Sequence, residues 1–514
     1  MALELTRRRI YPSIFNNKGL APFLSKGQLN SIVFRKYSAI STPTPKADAT
    51  PLRVAIVGSG PGGFYTAGRL FKNFPSGGVL VDMFEKIPIP HGLVRYGVAP
   101  DHPEVKLVIN KFDEVASHKG FRFFGNVEVG TQLPVELLRS QYDAVVMAYG
   151  AAADKSLGVP GETLEGVLSA RSFVNWYNGS PEQFGAIAPN LTSSDTAVIF
   201  GQGNVALDLA RILLSPVDVL AKTDITSDSL EMLSKSTIKH VHIVGRRGPL
   251  QAAFTAKELR EIFSLPDTKI HLDPSLLNYQ LESNKEVIAK NRPLSRLMAL
   301  LTKGYKENCA KFNDKPTKSC HFTFLRSPLE FCGDKTVQKV HLGVNTLEGQ
   351  PPKAILTDAR EWIDSGLVLR AIGYRSLPLA NIPFDSSSGR VPNQFGRVLG
   401  EASEVSGLYV SGWLKTGPVG VIATTLMHAH ETADIIYSDF KQGTLVPGRP
   451  GLSVKSFSDA RLNPTSYIDW KRLEQHEFEA GARLNKPREK IFVTQSAIPL
   501  LYNSPNKGIF STTF

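Results

Sequence analysis

The stretch "KHVHIVGRRGP", Lys239 to Pro249, finishes a β-branched apolar run on two adjacent arginines, Arg246 and Arg247. A guanidinium is costly to leave buried and unpaired, so a strand that ends this way points to an anion. Upstream lies "VIFGQGNVALDLARILL". Here Gly201, Gln202, Gly203 and Asn204 separate an apolar run from a segment whose Val205, Leu209, Ile212 and Leu213 keep helical spacing. Glycine at the first two fingerprint positions and Ala206 at the third suit a strand–turn–helix unit, in which the backbone approaches a pyrophosphate and the helix N-terminus faces it. The second strand of such a unit ends beside the adenosine ribose. Two arginine forks at that point suit a 2′-phosphate, with stacking on adenine. The anion is read as the 2′-phosphate of NADP(H), two solvated surface arginines being the plain alternative.

A first copy of the unit stands nearer the N-terminus, in "LRVAIVGSGPGGFYTAGRLF". Val54–Val57 reads as a buried parallel strand. Gly58, Gly60 and Gly63 then form GxGxxG, with Gly62 beside the third, and apolar residues at helical spacing follow. The first glycine permits the tight turn, the second lets the backbone reach a pyrophosphate, and the third lets helix and strand pack closely. "VLVDMFEK" supplies the second strand and ends on Glu85, 22 residues beyond Gly63, where an acid binds ribose hydroxyls. A carboxylate there repels a 2′-phosphate, so this site takes FAD or NAD rather than NADP; a purely structural glycine turn is the alternative. Two dinucleotide sites of unlike charge describe a flavoprotein that exchanges hydride with NADPH. A dithiol reductase of the thioredoxin type needs CxxC, which is missing. A monooxygenase stays open on the glycine motifs alone.

The elements that must position these residues are strands and helices in alternation, an α/β fold with parallel sheets. With 514 residues, 42% hydrophobic and 21% charged, the chain is long enough for two or more cores. No apolar run approaches the ~20 residues of a membrane helix. Cys309, Cys320 and Cys332 show no metal-ligand spacing and read as free thiols of a reducing compartment. "STPTPKADATP" (Ser41–Pro51) is a linker, and Ser215–Ser236 a polar insertion ahead of "VHIVG". Of the net charge of +12, half falls in residues 1–37, where seven cations face a single acid, Glu4, and no further acid appears before Asp48. That is the composition of a mitochondrial presequence, with "FRKYSAIS" suggesting cleavage between Tyr37 and Ser38; a disordered basic tail is the alternative. The mild excess that remains does not suggest nucleic acid and fits an acidic protein partner.

At this point the residues carry a resemblance. "VAIVGSGPGGFYTAGRL", "HGLVRYGVAPDHPEVK", "FGNVEVG", "VIFGQGNVALDLARILL", "IVGRRGPLQAAFTAKELRE", "GLYVSGWLKTGPVGVIATT" and "KPREK" run in order from about Pro51 to Lys490. Together they resemble the adrenodoxin reductase family of mitochondrial NADPH–ferredoxin reductases. The resemblance implies two nested Rossmann-like dinucleotide-binding domains in a three-layer arrangement. A presequence (1–37) and linker (38–50) would precede a split FAD domain (51–153 and 376–514, with the C-terminal tail), and an NADP domain (154–375) would be inserted into it. It implies FAD contacts at the "GPGG" turn, Glu85, Leu93 and Val127, and again at Trp413, Gly420, Val421 and Ile422. The residues of "TGPVGVIATT" agree: glycines precede an apolar helix whose N-terminal amides suit a reduced, anionic flavin. The implied NADP set is Gly201 to Asn204, Arg246, Arg247 and Glu258, with Gly420 touching nicotinamide.

Asp101 and His102 resemble the family's acid–histidine pair near the isoalloxazine and, with Glu258, are the candidates for a catalytic role. A loop cap before Pro103 is the plainer reading of the pair. His91 departs from the family, standing where relatives carry an aromatic ring. The family's ferredoxin-facing basic residues fall on Arg260, Arg292 and Arg296, the last two spaced to share one helix face. The implied activity is hydride transfer from NADPH to FAD and single-electron delivery to a [2Fe–2S] ferredoxin, with no metal held by the chain. The setting is the mitochondrial matrix or the matrix face of the inner membrane, with peripheral attachment and a monomeric state. The ferredoxin would serve cytochrome P450, iron–sulfur cluster or haem pathways. A monooxygenase, a glutamate-synthase-like reductase subunit and a non-catalytic NADP-binding protein are the alternatives. The role of the tail after Lys490 is unread.

Overall fold

Parallel structure begins at β1 (Leu52–Val57), whose apolar run is buried almost throughout. The computed structural model describes residues 50–75, 77–183, 188–312, 316–401, 403–420 and 422–492; the leader, most of the linker and the end of the tail lie outside the described residues. After β1 come α1 (Pro61–Asn73), with proline in its first turn, and β2 (Val79–Phe84). Then follow α2 (Ile109–Ala116), β3 (Phe121–Phe124), α3 (Val135–Gln141) and β4 (Ala144–Met147). β1 pairs in parallel with β2 and β4, and β2 with β3. Residues buried on both faces of the strands give continuous apolar runs instead of alternation.

The chain leaves this sheet through β5 (Ala153–Asp154) and builds a second one. Its elements are β6 (Val167–Ser169), α4 (Ala170–Tyr177), β7 (Thr196–Phe200), α5 (Asn204–Leu214) and β8 (His240–Gly245). α6 (Ala256–Phe263), β9 (Thr268–His271), α7 (Arg292–Lys311) and β10 (Lys318–Phe324) continue it. An antiparallel meander of β11 (Arg326–Cys332), β12 (Lys339–Glu348) and β13 (Lys353–Asp364) follows, then β14 (Leu367–Arg370) and β15 (Tyr374–Arg375). The second sheet runs β6-β14-β7-β8-β10-β9. β15 lies antiparallel to β5, Tyr374 opposite Asp154 and Arg375 opposite Ala153, so exit and return form one two-stranded ribbon.

Back in the first unit, β16 (Asn393–Gln394), β17 (Arg397–Leu399) and β18 (Glu404–Val410) add to β4, giving the order β16-β17-β18-β4-β1-β2-β3. α8 (Ile422–Lys441) packs on α1, and α9 (Tyr467–Arg483) closes the unit. Each sheet is the middle of three layers. Ile56, Val81 and Met83 meet Phe64, Ala433 and Ile436 on one side of the first. One face of the second packs on its helices, and the other, at the strand ends, on the meander through Val198, Phe200, Phe331 and Leu342.

The rest of that second face carries an unusual row. His242 of β8, His321 of β10 and His271 of β9 stand in register with rings stacked 4.3 and 4.4 Å apart. Burial, then repulsion from neighbouring histidines, pushes His242 down to about 4 and His321 to about 3; burial, then Lys269, lowers His271. The folded chain therefore binds fewer protons than the unfolded chain, whose histidines titrate near 6.5. Stability is lost as pH falls from about 6.5 through these depressed values. The urea midpoint should be lower at about pH 5 than at about pH 7.5, and His321→Thr should shrink that difference.

Candidate functional site

The first glycine turn is shaped by close approaches. Gly58 has φ +108, and a Cβ there would lie 2.5 Å from the Ala148 carbonyl oxygen. A Cβ on Gly63 would lie 2.1 Å from the Gly58 oxygen, so α1 rests directly on the turn. Nothing lies within 4 Å of a Cβ built on Gly60, which leaves the amides at the start of α1 open. A Cβ on Gly62 would come within 3.0 Å of the Gly412 Cα. Thr66 Oγ1 donates to the Gly62 oxygen at 2.7 Å and lies 2.9 Å from Ser411 Oγ. The residues after β18 are thereby fixed against the first turn.

Glu85 follows β2 directly. Its Oε2 accepts from the Ser59 amide at 3.0 Å and the Ser59 hydroxyl at 2.7 Å, while Oε1 takes, among the described residues, only the Ile87 amide at 3.3 Å. Burial raises its pKa against these hydrogen bonds. The Val127 amide donates to the Glu85 oxygen at 2.9 Å and its side chain is buried, so Val127 has only its backbone carbonyl to offer. Leu93 opens the short helix Leu93–Tyr96, entered through Gly92, whose Cβ would lie 3.3 Å from the Gly60 Cα. Trp413 opens a second short helix and stacks on Tyr374 of β15, ring centroids 5.5 Å apart. Gly420 has φ +87 and Ile422 begins α8; Val421 lies outside the described residues.

The second turn repeats this geometry. Gly201 has φ +131, with a Cβ 2.2 Å from the Ala371 oxygen, and the space over Gly203 is open. Gln202 Oε1 is buried with no hydrogen-bond partner among the described residues. Asn204 Oδ1 accepts from the Thr255 amide at 2.8 Å, joining the starts of α5 and α6, and Glu258 accepts from the Thr255 hydroxyl. Arg246 and Arg247 follow β8, exposed. Their backbones are fixed, since Asn345 Nδ2 donates to the Arg246 oxygen at 2.9 Å and the Leu325 amide to the Arg247 oxygen at 3.2 Å. Neither guanidinium has a side-chain partner among the described residues.

Between the two units, Asp101 and His102 are not bonded to each other and do not cap the helix that starts at Pro103. Asp101 is paired with Arg211 of α5, and His102 Nε2 lies 2.7 Å from Glu261 Oε2 of α6. Arg211 also holds Asp208 at 2.9 Å; burial pushes Asp208 up to about 6 even so. Arg211 Nη1 also lies 3.1 Å from Glu261 Oε2, so Asp101 and His102 reach across to one shared network on the second unit. Arg211, Glu261 and Asp208 escaped the sequence reading. The available signal was Arg211 itself, a buried cation inside the apolar "ALDLARILL". His91 lies in an aromatic cluster, 5.5 Å from Phe64, 5.8 Å from Phe112 and 5.6 Å from Trp470 between ring centroids. Its Nε2 is 2.9 Å from the Tyr467 hydroxyl, which itself donates to Asp113 at 2.6 Å. Burial and nearby cations lower its pKa well below 6.5, so it serves as a neutral aromatic filler with φ 86. Arg260 on α6 and Arg292 and Arg296 on α7 are exposed, unpaired among the described residues, and carried by two helices that pack together.

No family model matches the chain. It is 45% identical over 468 residues to the mitochondrial NADPH:adrenodoxin oxidoreductase of Salvelinus fontinalis, covering 88% of this chain and 91% of that one. It is 42% identical over 472 residues to the protein of the same name from Arabidopsis thaliana, covering 89% and 97%. Among solved structures, Mycobacterium tuberculosis FprA in complex with NADPH is similar with a TM-score of 0.81 at 37% identity, over 88% of this chain and 100% of that chain. With such likeness over nearly the full length of its relatives, the chain belongs to the mitochondrial NADPH:adrenodoxin oxidoreductase family.

Proposed function

We propose that this protein is a mitochondrial NADPH:ferredoxin oxidoreductase that holds FAD in the first unit and NADP(H) in the second. One observation carries the reading. At the same topological point, just beyond the second strand of each nucleotide unit, one sheet presents the carboxylate Glu85 and the other the free guanidiniums Arg246 and Arg247. A carboxylate suits a ribose diol and an arginine fork suits a 2′-phosphate, so the two sites are not interchangeable. The open cradles over Gly60 and Gly203, the under-used Glu85 Oε1 and the orphaned Gln202 Oε1 all fit such ligands.

When bound, NADPH supplies a hydride to FAD, which releases the two electrons singly, so that two [2Fe–2S] ferredoxins are reduced while NADP⁺ and one proton are left. The chain's own residues bind and align. Gly58, Gly60, Gly62 and Gly63 admit the pyrophosphate of FAD, with Glu85 on its ribose, and Leu93, Val127 and Trp413 bordering it. Gly420 and Ile422 stand at the start of α8, where amides favour negative charge. Gly201 to Asn204 receive the NADP pyrophosphate, and Glu258 stays near it through Thr255. Asp101 with Arg211, and His102 with Glu261, hold the flavin-side loop to the second unit and keep charge paired at the junction. The FAD domain is read as 51–153 and 376–514 and the NADP domain as 154–375. The leader of residues 1–37 directs the chain to the matrix, where it works as a monomer, peripherally at the inner membrane.

Arg260, Arg292 and Arg296 form the docking face for an acidic ferredoxin. The protein should be yellow, be bleached by NADPH, and pass electrons to cytochrome c only when a [2Fe–2S] ferredoxin is added. Alanine at any of the three arginines should slow that ferredoxin-dependent rate several-fold at low salt, roughly in step with the usual loss of electrostatic steering, and leave NADPH–ferricyanide activity intact. A colourless protein, or loss of both activities together, would overturn the assignment.

A further inference from the structure

The "KPREK" segment and the polar insertion of residues 215–236 belong to no nucleotide site, yet they meet. Beyond α9 the chain folds back, with Lys486 donating its amide to Gly481 at 3.0 Å and Glu489 donating its amide to Glu477 at 3.0 Å. The fit is tight: a Cβ on Gly481 would lie 2.6 Å from the Arg488 Cα. Glu477 is fully buried and receives Arg95 Nη1 at 3.0 Å and Arg488 Nη1 at 3.1 Å. Arg95 belongs to "HGLVRYGV", the segment after β2 whose Gly92 lies against Gly60 of the first nucleotide turn.

On its other side the segment grips the second unit. Lys490 Nζ donates to Asn178 Oδ1 at 2.8 Å and lies 3.2 Å from Asp224 Oδ2. Asn178 in turn donates to the Tyr96 and Val98 carbonyls, both at 3.1 Å. Asp224 also accepts from Lys106 Nζ at 2.6 and 2.7 Å. Glu489 accepts from the Ser227 amide and hydroxyl, both at 2.9 Å, and Lys486 donates to Glu489 at 2.6 Å. Asp224 is thus the shared anion for one lysine of the flavin-side loop and one of the C-terminal segment. Burial alone would raise its pKa, but Lys490 and Lys106 hold it at about 2; burial in turn lowers both lysines, Lys490 well below its usual value, against the pull of Asp224.

Two units with separate cores are expected to move relative to each other unless their contact is large and apolar. This contact is ionic and largely shielded, with Lys490 buried and Asp224 mostly so. An apolar contact tolerates sliding, whereas a buried carboxylate shared by two ammonium groups is satisfied in one arrangement, and losing a partner leaves a charge uncompensated. We propose that Asp224 and Lys490 are positioning residues for hydride transfer, the two halves of a charged latch through which the insertion and the Lys486–Ile491 segment hold the NADP(H) unit in one orientation over the flavin unit. The proposal rests on the flavin–NADPH reading above.

The test uses the full-length holoenzyme with three changes: Asp224→Asn, Lys490→Gln, which can keep the bond to Asn178, and the two combined. Stopped-flow reduction of the flavin by NADPH should slow on the order of ten- to hundredfold in all three, because small misplacements remote from the chemistry cost that much. Calorimetric affinity for 2′,5′-ADP, which probes the second unit alone, should be unchanged, as should the flavin spectrum. Amide exchange at Ser227 and Ile491 should accelerate. The double variant should recover part of the stability lost in Asp224→Asn, since it relieves Lys490 but still leaves Lys106 without its anion, and should not recover the rate. If Asp224→Asn does not fold, Lys490→Gln alone decides. Unchanged flavin reduction with faster exchange would overturn the latch, and so would a parallel loss of 2′,5′-ADP affinity. Failure of the unaltered protein to bind flavin or 2′,5′-ADP would instead overturn the reading on which it rests.

Discussion

Replacing Arg246 and Arg247 together by alanine should raise the KM for NADPH on the order of hundredfold or more while leaving that for NADH nearly unchanged. Each charge-assisted contact to a phosphate is worth about 1.5–3 kcal/mol, and two of them multiply. The structure supports a selective effect, because the side chains are exposed and unpaired among the described residues while their backbones are pinned by Asn345 and Leu325. Removing the guanidiniums therefore breaks no internal bond, and thermal stability should not move. Steady-state ferricyanide reduction with each nucleotide is the measurement. Equal losses for NADH and NADPH would show that the arginines act on something other than the 2′-phosphate.

The second large effect is expected at Gly63. A Cβ there would meet the Gly58 carbonyl oxygen at 2.1 Å, a contact with backbone that no rotamer can relieve. Gly63→Ala must lift α1 from β1, at a cost of about 1–3 kcal/mol, which is roughly five- to hundredfold in FAD affinity if the open turn is the form that loses the ligand. Gly60→Ala is the informative partner. Its Cβ meets no protein atom within 4 Å and projects into the space read as the pyrophosphate site. Gly60→Ala should thus weaken FAD binding without lowering the urea midpoint of the apoprotein, whereas Gly63→Ala should do both. Flavin content after purification and equilibrium unfolding separate the cases. A fully yellow Gly63→Ala protein with native stability would mean the turn is not what holds FAD.

Features set by local chain order were legible in advance. Glu85 and Arg246–Arg247 end strands a fixed distance beyond glycine turns, and the α/β architecture with two such units follows from the same pattern. What was missed depends on how the two units sit together. Arg211 is 110 positions from Asp101, and Glu261 is 159 from His102, so no spacing rule connects them. Asp101 and His102 are read from their resemblance to the family's acid–histidine pair, which says nothing of the Arg211 and Glu261 that packing brings against them. "KPREK" could be seen as unusual, but its meaning needed Asp224 in a turn and Asn178 at a helix end of the second unit. His91 is a milder case: a residue type that suggests proton chemistry, surrounded by rings and neutral.

The ribbon of β5 and β15 gives the second sheet a property that its contacts alone would not. Its chain enters and leaves side by side, with Ala153 opposite Arg375 and Asp154 opposite Tyr374, where paired strands bring Cα atoms about 5 Å apart. The inserted sequence is therefore a cassette with adjoining ends, as a gene fragment spliced into one loop would be. Excised there, the host strands β4 and β18 still pair directly with each other, so the host sheet does not depend on the guest for its continuity. Exchange of one nucleotide-binding cassette for another asks for compatibility at the two residue pairs of the ribbon and at the contacts across the junction, the ion pairs, the Trp413–Tyr374 stack and the Asn178 hydrogen bonds among them.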